Sequence, residues 1–164
     1  MLTMMLAAIA AVMTPPPPPT ISQTAAPIVV STGPIRVSDD ARLFSAREAV
    51  LAAADAPPFG AAGRFGFVVR ATGWSDGVLY LNSETDYRDP RNLSVAVAPE
   101  LARKLVEGLG DDGQRRLEGR TIIVNGRAKK TRIDFTVDGK NPSGKYYFQT
   151  QVAVTSEDQI KWVN

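Results

Sequence analysis

The pattern of apolar and polar positions first predicts a short helix between two breakers. In "SAREAVLAAADAPP", Ser45 is a suitable N-cap residue, and Glu48 three positions later completes a capping box. Strong helix formers follow, and Pro57-Pro58 stops the run. We therefore expect a helix over about residues 45–55.

After Gly63 the apolar residues recur at every second position, which indicates strands rather than helices. One exception is "PELARKLVEGLG", where Pro99 opens a run with leucines four residues apart, a spacing that predicts a second helix. The first three predicted strands carry Phe65, Phe67, Val69 and Ala71; then Val78 to Leu81; then Leu93, Val95 and Val97.

The last third of the chain predicts a long hairpin with a change of parity in its first strand. Ile122, Val124, Gly126 and Ala128 lie on even positions, whereas Ile133, Phe135 and Val137 lie on odd ones. Because a strand has a strict period of two, such a change requires an extra residue or a turn. We predict a β-bulge within Lys129 to Arg132, and a tight turn at Asn125-Gly126 is the alternative.

The returning strand of the hairpin begins after a loop from Asp138 to Gly144, "DGKNPSG". Its alternation predicts one apolar face and leaves Tyr147 on the other. The predicted apolar face is made by Tyr146, Phe148, Thr150, Val152 and Val154.

Three strands, a helix and a long hairpin follow the order of the OB fold, a five-stranded Greek-key barrel. The motifs "FGFVVRAT", "GVLYLNSETDY", "RNLSVAVAP", "LEGRTIIVNGRA" and "VAVTSEDQIKWV" resemble those of bacterial OB-type nucleic-acid-binding modules, over about Ser45 to Val163. The resemblance implies a mainly β protein with one or two helices: a five-stranded OB-like Greek-key barrel, preceded by the N-terminal helix, that binds a ligand without catalysis. The sequence departs from the family in its extended hairpin between the last two strands.

The composition excludes several kinds of catalytic and metal-binding site. The chain has 164 residues, enough for one domain of ordinary size, and contains neither cysteine nor histidine. Disulfides, thiolate nucleophiles, the usual zinc sites and a histidine general base are therefore excluded. "GAAGRFG" lacks the spacing of a dinucleotide fingerprint, and "SGK" lacks the upstream glycine of a P-loop. We expect no cofactor and no enzymatic activity.

The N-terminal region predicts export. Residues 1–14 are apolar except for two threonines, too short a run to span a bilayer as a helix but suited to a signal peptide. They contain no lysine or arginine, which departs from the usual signal pattern. A proline-rich tether at 15–37 and a folded domain at 38–164 would follow, in a periplasmic or secreted protein.

Between two of the predicted strands lies a loop rich in carboxylates. Glu84, Asp86 and Asp89 are spaced so that their oxygens could bind calcium, but the ordered glycine and distal glutamate of an EF-hand loop are absent. Arg88 and Arg91 compete for the same carboxylates. We predict a salt-bridged connection, with Tyr87 packed inward or lying on the barrel edge.

The basic hairpin is the stronger candidate site. From Gly119 onward the chain holds eight basic and four acidic residues, a balance of +4 where the whole chain has +2. Cations can neutralise phosphates, and aromatic rings can stack on bases. Candidate ligand-binding residues are Arg127, Lys129, Lys130, Arg132, Lys140, Lys145, Tyr147 and Trp74.

Two kinds of partner fit this surface. One is single-stranded nucleic acid or another polyanion. The other is an envelope protein, in which case the cations serve only to keep a strand edge from unwanted pairing. Neither interpretation includes a transmembrane segment.

Overall fold

A computed structural model describes residues 37–110, 113–137 and 141–163. The predicted signal peptide at 1–14 and all but the last residue of the tether at 15–37 lie outside the described residues. None of the described helices is long and apolar enough to cross a membrane. The described elements are β1 (Leu43–Ser45), α1 (Ala46–Asp55), β2 (Ala61–Val68), β3 (Ala71–Ser75), β4 (Val78–Asn82), β5 (Leu93–Val97), α2 (Pro99–Glu107), β6 (Thr121–Thr136), β7 (Pro142–Val154) and β8 (Ile160–Val163).

The strands form one curled mixed sheet in the order β1-β2-β6-β7-β5-β4-β3, with β8 also paired to β6. The sheet curls because β2 and β3 are joined by two residues only, Val69 and Arg70. The Val69 amide donates to the carbonyl of Arg120 before β6, and the Arg70 amide donates to the carbonyl of Asn82 on β4. β5 and β7 pair in parallel, and the other neighbours along the main path from β2 to β3 are antiparallel. This order is consistent with an OB-like barrel.

The predicted count of five strands was too low, since the described residues contain eight. The predicted first strand is divided into β2 and β3 at the point where it passes from β6 to β4. The short strands β1 and β8 are additions to the five, paired with β2 and β6.

Helix α1 begins as the sequence predicted. The Ser45 hydroxyl accepts a hydrogen bond from the Glu48 amide at 3.3 Å, and the Glu48 carboxylate accepts one from the Ser45 amide at 2.8 Å. This backbone bond is the main reason that the pKa of Glu48 lies below its usual value. The helix buries Ala49 and Ala53 against the barrel, where small side chains allow close approach.

The core lies between the two helices and the inner face of the barrel. Helix α2 follows β5 and contributes Leu101 and Ala102, with Pro99 in its first turn as predicted. The apolar positions predicted for the first three strands are buried at Phe65, Phe67 and Val69, at Val78 to Leu81, and at Leu93, Val95 and Val97. The largest completely buried side chains in this core are Phe65, Leu79, Leu81, Leu93, Leu117, Ile122, Val69, Val95, Val97, Val124, Val152 and Val154.

The predicted break in the hairpin was wrong, although its two strands are confirmed. β6 runs without interruption, and its register with β7 is regular from Ala128 to Asp134; a shift occurs only between Asp134 and Thr136. The alternative turn at Gly126 is also absent. Gly126 is needed for packing instead, because a Cβ there would lie 2.6 Å from Val152 Cγ1.

The apolar residues therefore change from even to odd positions because a different side of β6 is buried beyond Ala128, not because the strand is distorted there. Up to Ala128 the even positions of β6 face the core of the barrel. Beyond Ala128 the same face is exposed, at Lys130 and Arg132, whereas Ile133 on the opposite face is buried.

Candidate functional site

The candidate site is the part of the hairpin that extends past the barrel, residues 129–136 and 142–151, which we call the arm. The first residue of β2, Ala61, pairs with Ala128 at the base of the arm, so β2 does not extend along the arm. β5 reaches only to Thr150, which is opposite Leu93. The outer length of the arm is thus held by pairing between β6 and β7, and it has two faces.

One face continues the inner face of the barrel and carries alternating cations and aromatic rings. The Lys130 ammonium lies 4.6 Å from the centre of the Phe148 ring, and the Arg132 guanidinium lies 4.1 Å from the centre of the Tyr146 ring. Each cation reaches the ring diagonally across the strand pair, because Arg132 stands opposite Phe148 and Lys130 opposite Thr150. We call these four side chains, the two cations and the two rings, the aromatic face.

The rings of the aromatic face are accessible. Tyr146 is 52% exposed and Phe148 is 47% exposed, and their centres lie 5.7 Å apart with the planes at 80°. The arginine of this face is also paired: the Asp134 carboxylate accepts from Arg132 at 2.7 Å. Among the described residues, Asp134 is the carboxylate that forms an ion pair with a cation of the aromatic face.

The opposite face of the arm packs against the loop between β4 and β5. Tyr147 contacts Phe135 and Tyr87, with ring centres 5.3 and 6.2 Å apart. Ile133, opposite Tyr147 in the ladder, is 4% exposed. We call this side the packed face.

The predicted roles of the three aromatic residues on β7 were therefore reversed. Tyr147 was expected to be accessible, but its hydroxyl is buried and has no hydrogen-bond partner among the described residues. Burial raises the pKa of Tyr147 above its usual value. Tyr146 and Phe148 were expected to be buried, yet they form the exposed aromatic face.

The loop that covers the packed face, residues 83–92, is fixed by buried Asn92. Its side-chain amide nitrogen donates to Asn82 Oδ1, to Ser94 Oγ and to the carbonyl of Tyr87, all within 3.2 Å. Its oxygen accepts from the Glu84 amide at 3.1 Å. The loop is joined to the arm as well, because Gln149 Nε2 donates to the Tyr87 carbonyl at 3.0 Å.

The two aspartates of this loop are paired with its two arginines, which confirms the predicted salt-bridged connection. Asp86 accepts from Arg88 at 3.0 Å and Asp89 accepts from Arg91 at 2.7 Å. The hydrogen bond from Arg91 lowers the pKa of Asp89 to about 2. Among the described residues no group of three or more His, Cys, Asp or Glu side chains is placed to hold a metal ion.

The structure brings only some of the predicted residues together. Lys129 and Lys145 are exposed on the arm, but at odd positions, whereas Lys130 and Arg132 occupy even ones. Lys140 lies outside the described residues. Trp74 is 43% exposed but distant in register: it pairs with Leu79, which is opposite Val97 and so at the far end of these strands from the arm.

Arg127, the first of the predicted cations, contacts the backbone just before β2. Its guanidinium donates to the carbonyl of Gly60 at 2.9 Å and to that of Phe59 at 3.5 Å, in the loop before β2. The sequence held a signal for the aromatic face that was missed. In an unbroken hairpin Lys130, Arg132, Tyr146 and Phe148 all occupy even positions and share a face.

Comparisons with known proteins add little to this geometry. No protein-family model and no curated protein matches the chain. Among solved structures, a protein assigned as an aspartyl-tRNA synthetase from Leishmania major Friedlin is similar over 85% of this chain, with 15% identity and a TM-score of 0.42. The chain spans 23% of that protein's length. This likeness is too weak to assign a fold or a function, so both rest on the strand order and the arm.

Proposed function

We propose that this protein is an OB-type module that binds single-stranded nucleic acid, without catalysis, through the aromatic face of its arm. The observation that carries the proposal is the pairing of two exposed rings with two cations on one strand face. Base–aromatic stacking needs an accessible ring, and phosphate binding needs a cation close to the stacked base.

The spacing of the rings fits an extended strand of nucleotides. Tyr146 and Phe148 are two residues apart in a β-strand, so their attachment points lie about 7 Å apart along the arm. Their planes are nearly perpendicular, at 80°, so a single base cannot lie flat on both rings. Each ring therefore offers a stacking surface to a different base.

The charge of the arm favours a polyanion. Its described residues include four cations, Lys129, Lys130, Arg132 and Lys145, and one carboxylate, Asp134, which gives four minus one, or +3. Neutralising phosphates releases condensed counterions, so such binding weakens as salt is raised. The rings then add a contribution that salt does not screen.

The decisive experiment is a binding titration of the full chain with fluorescein-labelled oligothymidine of about ten nucleotides, a length that one OB-type barrel can cover. We expect the affinity to fall as salt rises from about 50 to 200 mM. Replacing Lys129, Lys130 and Arg132 together by alanine should weaken binding strongly. The same variant should reduce the salt slope by about 2, at roughly 0.7 for each phosphate that is no longer neutralised.

A control variant that loses the same number of charges elsewhere distinguishes binding by the arm from general electrostatic attraction. Arg103, Arg115 and Arg116 are exposed cations that follow β5 at the end away from the arm, and their triple alanine variant should bind as the wild type does. Absence of binding at low salt, or equal loss in both triple variants, would refute the proposal. Retention of an envelope-protein partner by the arm variant would then favour an interaction module.

We also propose export to the periplasm or the medium. The proposal is supported by the apolar run at residues 1–14. N-terminal sequencing of the protein recovered after expression of the complete sequence in a bacterium tests it, and an intact Met1 on the recovered chain would contradict it.

A further inference from the structure

An aromatic residue outside the arm also stands beside its base. Phe59 lies in the turn between α1 and β2, and 76% of its surface is exposed. No feature of the sequence singles this residue out. A large apolar ring this accessible offers the same kind of stacking surface as the two rings of the aromatic face.

The backbone that carries Phe59 is held in place from both sides. The Gly60 amide donates to the Ala56 carbonyl at 2.6 Å. Gly60 has a φ of +73°, and a Cβ at this position would lie 2.4 Å from the Ala128 carbonyl oxygen. The turn therefore requires glycine and packs tightly against β6 at the base of the arm.

Arg127 completes this arrangement. It is half-buried, and its guanidinium donates to the carbonyls of both Gly60 and Phe59. These bonds orient the guanidinium toward the turn. Both bonds come from Nη1, a terminal nitrogen that the shorter lysine side chain does not have, so lysine would not hold both carbonyl oxygens in the same way.

The position of the turn extends the proposed site across the base of the arm. The built Cβ of Gly60 would also lie 3.0 Å from Lys129 Cα, so Gly60 packs against the first residue of the arm and Phe59 is its neighbour in the chain. A nucleic-acid strand that leaves Tyr146 and Phe148 toward the barrel passes the level of Lys129 before it reaches β2.

We infer that Phe59 is a third stacking residue of the single-strand site, and that Arg127 is a positioning residue that holds Phe59 rather than a phosphate ligand. This inference rests on the proposed function. It corrects the predicted role of Arg127 and adds a residue from the N-terminal helix connection to a site otherwise built from the arm.

The first experiment changes Phe59 in the full chain and measures binding to the same labelled oligothymidine. Because stacking contributes about 1–3 kcal/mol per base, Phe59→Ala should weaken binding by about tenfold and leave the salt slope unchanged. Phe59→Trp should bind as tightly as the wild type. Phe59→Leu, which keeps an apolar side chain without a ring face, should be as weak as Phe59→Ala.

Val68 supplies the matched control, since it is an apolar residue 45% exposed at the end of β2 away from Phe59, opposite Thr121. Val68→Ala should bind as the wild type does. If Phe59→Ala and Val68→Ala bind equally well, or if Phe59→Leu is as tight as the wild type, the stacking role is refuted while the proposed function stands. If the wild type itself does not bind, both fall together.

The second experiment separates the two roles of Arg127. Arg127→Lys keeps the charge, so binding would weaken little if Arg127 were a phosphate ligand. If Arg127 positions Phe59, the variant should bind about as weakly as Phe59→Ala, at an unchanged salt slope. In the Phe59→Ala background, Arg127→Lys should then cause no further loss. Wild-type affinity in Arg127→Lys, or additive losses in the double variant, would overturn the positioning role.

Discussion

The two faces of the arm contain similar residues in opposite surroundings. On the aromatic face Tyr146 and Phe148 are about half exposed and lie beside Lys130 and Arg132. On the packed face Tyr147 lies between Phe135 and Tyr87 with its hydroxyl buried. What differs is the cover, since the loop at 83–92 lies over one face only. Aromatic content therefore does not identify an accessible surface; the position of the covering loop does.

This comparison predicts that mutations on the two faces separate binding from stability. Replacing Tyr146 and Phe148 together by alanine removes two stacking surfaces and should weaken oligothymidine binding by roughly 4 kcal/mol, or about a thousandfold. Both rings are half exposed, so the urea midpoint of unfolding should change little. Anisotropy titration and urea unfolding of the same sample measure the two effects. A double variant that binds normally would remove the distinction between the faces.

The packed face should show the opposite behaviour. Ile133→Ala removes a buried side chain and should lower the free energy of unfolding by about 2 kcal/mol, at the low end for such substitutions because the arm can relax around the gap. Binding by the folded protein should be close to normal. Val137→Ala is the control, because Val137 is 77% exposed just after the same strand and its loss should not affect stability. Equal urea midpoints for the two variants would show that the face is not packed in solution.

How far the sequence predicts this arrangement depends on whether a feature is local. The capping box at Ser45, the helix that begins at Pro99 and the alternation of Leu93, Val95 and Val97 follow from neighbouring residues, and all were predicted correctly. The facing of Tyr146 and Tyr147 depends on where the barrel core ends and which loop covers the arm. Both depend on tertiary structure. Because the sequence analysis attributed the change of parity to strand geometry alone, it predicted a β-bulge within Lys129 to Arg132 that the structure does not contain.

The same reason explains why the sequence does not show where each candidate site residue lies. In the sequence Arg127 is one member of a cationic run, but its partners are carbonyl groups sixty-seven and sixty-eight residues earlier in the chain. Trp74 is an accessible aromatic residue, but register places it at the far end of β4. The long basic hairpin itself is confirmed as β6 and β7. Separating its accessible side chains from those that pack requires knowing which strand ends beside which.

A single hydroxyl tests the packed face more finely. The buried Tyr147 hydroxyl has no partner among the described residues, so Tyr147→Phe should leave stability unchanged or raise it by about 1 kcal/mol at pH 7. Burial raises the pKa of Tyr147 in the folded state, so its contribution is complete below the ordinary tyrosine pKa of 10.0 and is lost as the pH rises above that value.

Alkaline unfolding gives the readout. Tyr147→Phe should unfold at a higher pH than the wild type, since one group that ionises on unfolding is gone. Tyr80, whose pKa is also raised by burial, remains in both proteins and sets the residual alkaline transition. Tyr146→Phe is the control, because Tyr146 is exposed and its replacement should leave the alkaline midpoint in place. If both variants shift equally, burial of the Tyr147 hydroxyl is not the cause.

The smallest expected effect sharpens the aromatic face itself. The Asp134 carboxylate accepts from Arg132 Nη2 at 2.7 Å, and both side chains are about half exposed. Asp134→Asn removes a charge that repels phosphate and releases Arg132, so we expect oligothymidine binding to tighten by about two- to fivefold at low salt, within the range of an exposed ion pair. The salt slope should become steeper by up to about 0.7, because Arg132 then contributes fully to phosphate neutralisation.

The control for net charge is Glu107→Gln, which replaces an exposed carboxylate on α2 at the end away from the arm and should have no comparable effect. Weaker binding by Asp134→Asn would mean that the ion pair holds Arg132 in its binding position over Tyr146, which would make Asp134 part of the site.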